Sequence, residues 1–204
     1  MSASQKIADR PKKAADRIRE TARDLFYRRG IRDVGVEEIV TTAGVTKPSL
    51  YRAFASKDDL AAAYIRDYDA EFWARFERTI APYEGDPEAQ VLAWLESIEA
   101  RTKTAQYRGC GMTNAAVEYP ERGHPARLAA VENKKEYRRR LRALAAAMGA
   151  RDPAMLGDAL LLLIEGTYAS AQLFEGDGPA LHLVAAGKAL IAAATAPISP
   201  RPGR

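Results

Sequence analysis

The stretch GVTKPSLYRAF, residues 44–54, decides how the rest of the chain is read. Thr46 is a good helix N-cap, and Pro48 costs little because an N–H in the first turn has no helical partner anyway. The helix opened there is over by Phe54. It is too short to be stable alone, so it must lean on its neighbours through Leu50 and Phe54, which share a face at i and i+4. With Leu50 set inward at about 100° per residue, Pro48 and Arg52 point most nearly outward. Ser49 and Tyr51 then lie on the flanks, and Lys47 projects from the first turn. The outward side offers hydrogen-bond donors and a compact apolar surface, with no acidic residue.

Helical spacing continues in both directions, and strands are hard to find anywhere. A first helix is expected over 16–29, with Ala15, Ile18, Ala22, Leu25 and Phe26 as its apolar stripe and Gly30 as its stop. A second opens near Gly35, turns Val36, Ile39, Val40 and Ala43 inward, and carries Glu37 and Glu38 in its first turn, where carboxylates suit the helix dipole. Only Gly44 and Val45 separate it from the helix of 46–54, so the two must turn sharply. Ser56 with Asp59 forms a variant capping box for a fourth helix reaching about Ile80. Further helices are expected over 87–103, 112–118, 125–148, 153–174 and 180–196, the fourth of these capped by Asp152 with Pro153 at its first position. The fold class is therefore all-α. A three-helix domain over 15–60 precedes a longer helical domain over 61–197. A disordered basic arm, 1–14, and a flexible tail, 198–204, are expected at the ends.

The chain has 204 residues and is 47% hydrophobic, which suits one or two domains with a real core. No apolar run approaches the roughly 20 residues of a membrane span, and the N-terminus lacks the apolar stretch of a secretory signal. A soluble cytoplasmic protein is expected. One cysteine, Cys110, excludes an intrachain disulfide, and two distant histidines, His124 and His182, make no zinc pattern with it. No metal and no cofactor are expected. Net charge is +4 but uneven: residues 1–57 hold 13 Lys and Arg against 7 Asp and Glu, net +6, and the remainder 18 against 20, net −2. A basic first quarter on a near-neutral body suggests a polyanion partner at one end.

A short outward helix of this composition suits the major groove, where base edges offer acceptors and the thymine methyl while phosphates flank both sides. Lys47, Pro48, Ser49, Tyr51 and Arg52 are the candidates for DNA contact, with Thr46 and Lys57 as candidates for phosphate. Lys57 stands at the positive N-terminus of the fourth helix. A helix-turn-helix places its second helix in this way.

The pieces ARDLFYRRG, EEIVTTAGVTKPSLYRAF and SKDDL, within residues 17–60, together resemble the DNA-binding domain of TetR-family transcriptional regulators. The resemblance covers about the first third of the chain. It implies a symmetric all-helical homodimer, each subunit with a helix-turn-helix domain over 15–60 and a helical effector-binding and dimerisation domain over 61–197, that binds double-stranded operator DNA, most members repressing transcription until a small molecule releases them. By family pattern the recognition-helix contacts map to Lys47, Pro48, Ser49 and Tyr51, and Thr46 and Lys57 match phosphate-contacting positions. Two departures stand out. Val34–Gly35 replaces the hydroxyl residues common at the start of the second helix, and Ala53 is small where some members carry a base-contacting side chain. The arm, with Lys6, Arg10, Lys12 and Lys13, is expected to add salt-dependent, sequence-blind affinity.

The remainder supplies candidates for an effector pocket. Phe72, Trp73, Phe76, Trp94, Tyr107, Met112, Tyr119 and Tyr168 fall on segments able to surround a cavity, and Cys110, Asn114, Glu118, Glu165 and Gln172 are candidates for its polar contacts. A dimer interface is expected from the last two helices, through Leu163, Gly166, Thr167, Ser170, Phe174, Leu181, Val184 and Ile191. The segment 107–127, rich in Gly and Pro, is the one expected to move on effector binding. Other readings compete. Catalysis by Cys110 with His124 as base lacks an oxyanion hole. Redox sensing by Cys110 lacks an intramolecular resolving thiol. A helical interaction protein that no longer binds DNA predicts acidic or bulky residues on the outward face of residues 46–54, and the sequence shows neither.

Overall fold

A computed structural model of the chain describes residues 13–174 and 176–197. Apart from Lys13 and Ala14 the expected arm lies outside the described residues, as does the tail. Among the described residues there are nine α-helices and no strand: α1 (Ala14–Arg29), α2 (Val36–Ala43), α3 (Lys47–Ala53), α4 (Lys57–Ile80), α5 (Pro87–Thr102), α6 (Gly111–Glu118), α7 (Pro125–Ala147), α8 (Pro153–Ser170) and α9 (Leu183–Thr195). The all-α class read from the sequence is the observed one. The boundaries differ most at the end of α8, which stops at Ser170 instead of reaching residue 174. The amides of Gln172 and Leu173 bond back only three residues, to Ala169 (3.2 Å) and Ser170 (2.9 Å), which tightens the last turn. A short 3-10 turn, Pro179–His182, then leads into α9.

The chain forms two compact units. Of the described residues, the first comprises those up to Tyr68 together with Gly111–Ala130, and the second takes Asp69–Cys110 and those from Val131 onward. In the first unit α1 packs on α2 and α3, around Ile18, Ala22, Phe26, Val34, Ile39 and Leu50, all at most 2% exposed. Burying one such aliphatic side chain is worth about 1.5–3 kcal/mol, so this small core is what holds a seven-residue helix in place. Val34 occupies this core, which accounts for its apolar identity at a position where the resemblance led to a hydroxyl.

The second unit is built around four aromatic rings. Phe72, Phe76, Trp94 and Tyr137 meet edge to face with centroids 5.0–6.4 Å apart, the arrangement favoured by ring quadrupoles. The Trp94 Nε1–H donates to the Tyr137 hydroxyl, so neither buried polar group is left unsatisfied. α9 packs on α5 and α8. On the surface of α7, Glu136 accepts from Arg139 and Arg140, and Asp158 of α8 accepts from Arg138 and Arg142. The paired guanidiniums hold Glu136 down to about 2 and Asp158 well below the carboxylate range.

Candidate nucleic-acid interface

The turn before α3 is built by Gly44. Its φ of 61° and ψ of 42° are left-handed, its N–H reaches the Thr41 carbonyl, and the Val45 N–H reaches back to Val40 (3.0 Å). This is the Schellman arrangement, which closes α2 and reverses the chain within two residues. Thr46 then caps α3, its Oγ1 accepting from the Ser49 N–H at 3.4 Å. The two hydroxyls lie 2.9 Å apart, and Arg52 donates to the Ser49 Oγ at 2.9 Å. One hydroxyl network thus fixes the cap and the guanidinium together.

Leu50 is fully buried, while Thr46, Lys47, Pro48, Tyr51, Arg52 and Ala53 are exposed and Ser49 is half-buried. The outward set read from the sequence is therefore the solvent face of α3. Lys47 lies 3.9 Å from Glu37, a loose pair between well-exposed side chains that holds it only weakly. Phe54 is half-buried in extended backbone just past the helix, and its N–H closes α3 on the Leu50 carbonyl. Lys57 is turned to the protein itself: its Nζ donates to the Arg32 carbonyl at 3.2 Å, and burial pushes its pKa down.

The sequence reading missed Arg17. It is exposed on α1, with its Nη1 3.8 Å from where a Cβ on Gly44 would stand, beside the turn that aims α3. An exposed arginine near the start of α1 was the available signal. Its place beside the turn depends on how α1 crosses α3, which periodicity does not encode.

Several of the effector candidates lie in the first unit. Met112 is fully buried there. The Glu118 carboxylate accepts from the Arg32 N–H at 2.8 Å, and Arg32 Nη1 donates to the Glu118 carbonyl at 3.2 Å. A Cβ on Gly30 would come within 3.1 Å of this carboxylate, and Gly30 itself has a φ of 92°. The glycine that ends α1 thus both makes the turn and leaves room for Glu118. Tyr119 stacks on His124 at 3.6 Å, 8° from parallel, and burial raises its pKa to about 12. His124 Nδ1 accepts from the Ala126 N–H (3.2 Å) at the start of α7, while Nε2 stands 3.4 Å from Asp58.

The other effector candidates lie in the second unit. Phe72, Phe76 and Trp94 are at most 1% exposed within the ring cluster, with Trp73 against its edge. Cys110, Glu165 and Tyr168 gather around a residue the sequence reading missed, Lys134. Its ammonium pairs with Glu165, lies 3.4 Å from the Cys110 sulfur and sits 5.4 Å from the Tyr168 ring centroid. Burial lowers the Lys134 pKa, but the charges of Cys110 and Glu165 outweigh it and the net shift is upward. Lys134, Tyr137 and Leu141 share one stripe of α7, and that spacing was the signal available for both missed residues. Gln172 donates to the Tyr168 carbonyl at 3.1 Å.

Of the expected interface residues, Gly166, Phe174 and Leu181 are exposed, Leu163, Ser170 and Val184 half-buried, and Thr167 and Ile191 buried within the single chain. No three metal-binding side chains cluster among the described residues. None of the described helices is long and apolar enough to cross a membrane.

A short helix thrust outward by a tight turn, on a three-helix core, with donors and no carboxylate on its free face, defines a helix-turn-helix DNA-binding protein. The profile of the family described as "Bacterial regulatory proteins, tetR family" matches residues 18–64. An uncharacterised HTH-type transcriptional regulator of Mycobacterium tuberculosis is 41% identical over 58 residues, a match spanning 28% of this chain and only 29% of the mycobacterial protein. The fold as a whole is similar to a TetR-family transcriptional regulator from Streptomyces coelicolor, with a TM-score of 0.86 at 30% identity, covering 96% of each chain. A putative TetR transcriptional regulator from Streptomyces avermitilis gives 0.80 at 30% identity, over 90% of this chain and 98% of its own. The likeness to Escherichia coli NemR, 0.77 at 20% identity over 86% and 95%, is one of fold. The chain belongs to the TetR family of transcriptional regulators, and its first unit is a DNA-binding helix-turn-helix.

Proposed function

We propose that this regulator is a homodimeric repressor that holds operator DNA through the free face of α3 and lets go when a small molecule binds the second unit. The observation that carries the DNA-contact assignment is the facing of α3: Leu50 at 0% exposure against Tyr51 at 46%. That contrast supports reading Lys47, Pro48, Ser49 and Tyr51 as the side chains that meet base edges and phosphates, with Arg52 beside them and Thr46 and Arg17 on the phosphate rim. Lys57 gives one of its three protons to the Arg32 carbonyl and keeps the others for a phosphate at the start of α4.

Two copies give a symmetric reader of two half-sites. The exposed stripe of α8, with Met155 at 61% and Leu162 at 73%, continued in the turn just beyond it by Leu173 at 77%, supports this pairing. Gly166 and Ala169 are exposed between them and allow close helix approach. The test is binding to the DNA flanking the protein's own gene at two salt concentrations. Specific retardation that weakens with salt supports the reading. A purified protein that ignores this DNA at low salt rejects it.

A second reading, in which Cys110 senses oxidants, has one observation in its favour. The Lys134 ammonium stands 3.4 Å from the Cys110 sulfur, a charged donor beside the thiol. Against it, Cys110 is 3% exposed. Peroxide that weakens DNA binding of the wild type but not of Cys110→Ser would establish this reading in place of the first.

A further inference from the structure

We infer that the second unit binds a small amphipathic carboxylic acid in the cleft between the α5–α6 connection and the α8–α9 connection, an inference that rests on the ligand-released reading above. The cleft holds about 480 Å³, within the roughly 300–1,000 Å³ of small-molecule sites. One wall is apolar. Phe174 and Leu181 face it with 50% and 37% of their surface still exposed. The Phe174 side chain is seated against Gly178, where a Cβ would come within 2.3 Å. An occupant with an aliphatic or aromatic body would take this surface out of water.

The opposite wall chooses the head group. Thr102 and Thr104 spend their hydroxyl protons on the carbonyls of Glu99 and Arg101, both at 2.7 Å, and so offer no donor. Lys103 does offer one. It pairs with Glu99 at 3.3 Å yet remains 57% exposed, and an ammonium carries three protons. Among the described residues lining the cleft it is the charged one, and its partner Glu99 does not line the cleft. An anionic or acceptor-rich end is therefore matched, and a cationic one is not. Gln106 beside it has a φ of 65°, the positive value found at no other described non-glycine residue. Such backbone strain persists only where the surroundings over-determine it.

The position gives the site a way to act. The wall of 102–107 runs on through Gly109, where a Cβ would meet the Tyr168 carbonyl oxygen at 2.8 Å, so this connection lies tight against α8. It continues directly into α6, whose Glu118 holds Arg32 between α1 and α2. An acid bound between the two connections thus acts on the chain segment that leads into α6.

The experiment uses two dyes on the full chain. Anilinonaphthalene sulfonate has an apolar body and one anion, and Nile red is neutral. We expect saturable binding of both. Ala171→Trp, which fills the cleft, should weaken both dyes about tenfold or more. Lys103→Glu should weaken the sulfonate about tenfold and leave Nile red unchanged. Tyr83→Ala, at an exposed position outside the cleft lining, should bind as the wild type. Decanoate should displace the sulfonate and lower affinity for the DNA flanking the gene. If Ala171→Trp fails to fold, Leu181→Asp, at an exposed position, replaces it. Folded cleft variants that bind both dyes normally overturn the site, and a Lys103→Glu variant that treats the dyes alike overturns the acid. Decanoate that fills the cleft without disturbing DNA binding overturns the release reading and leaves the site standing.

Discussion

Tyr51 and Leu50 are neighbours in sequence with opposite fates, and the contrast separates binding from folding. The Tyr51 side chain is nearly half exposed and its proposed partner is a phosphate outside the protein, so Tyr51→Phe should leave the melting temperature unchanged. It should weaken binding to every sequence alike, because phosphate contacts position the protein without reading bases. Anisotropy titrations on operator and scrambled DNA would show it, and a loss confined to one sequence would reassign Tyr51 to base readout. Lys47→Ala is the complement. If its ammonium reaches a guanine, the change costs about 1–3 kcal/mol at that base pair and relaxes the preference there. A binding-site selection that returns the same motif for wild type and variant removes Lys47 from readout. Leu50→Ala opens a cavity under α3 and should cost about 3 kcal/mol of stability. Calorimetric stability equal to the wild type would show that α3 is seated in some other way.

At the scale of elements, helix identities were legible and helix partners were not. The α2–α3 unit could be read because each of its signals is local: a glycine at the turn, a threonine cap, an apolar residue on one side of a short helix. Val34 could not be placed, since its burial is decided by α1 and α2 closing over it. Lys134 and Tyr137 sit on a readable stripe of α7, but the sulfur, carboxylate and indole they meet come from α5, α8 and the segment before α6. Glu118 is the sharpest case. It reads as a pocket carboxylate by composition, whereas its partner is the Arg32 amide 86 residues earlier. That contact ties α6 to the connection between α1 and α2. Glu118→Gln keeps the shape and removes the charge that strengthens the bond. We expect about 1–2 kcal/mol less stability and faster hydrogen exchange at the Arg32 amide. Unaltered exchange at that amide would mean the carboxylate does not hold the connection.

For the molecule as a whole, acid and association are the two tests. Glu136 titrates at about 2 in the folded chain against an ordinary 4.5, because Arg139 and Arg140 bond its carboxylate. A carboxylate depressed on folding stabilises above its unfolded pKa, and this contribution drains away as pH falls from about 4.5 to about 2. Asp158 acts in the same direction through Arg138 and Arg142. The pairs lie at the surface, with Glu136 34% and Asp158 32% exposed, so solvent screening keeps the contribution modest. A double variant, Glu136→Gln with Asp158→Asn, should melt below the wild type near neutral pH and approach it at about pH 2; parallel curves would show the pairs contribute nothing. Association is the larger matter, since the proposed reader of two half-sites needs two recognition helices held together. Each α3 alone contacts only a few base pairs, and joining two makes the second engagement intramolecular. Leu162 stands in the centre of the exposed α8 stripe at 73% exposure, where a charge costs nothing in the free chain but is buried without a partner in a pair. Leu162→Lys should therefore melt at the wild-type temperature when dilute, elute as a monomer where the wild type is a dimer, and lose operator affinity far more than nonspecific affinity. Light scattering after gel filtration gives the mass directly. A variant that stays dimeric with normal operator binding places the subunit contact away from this stripe.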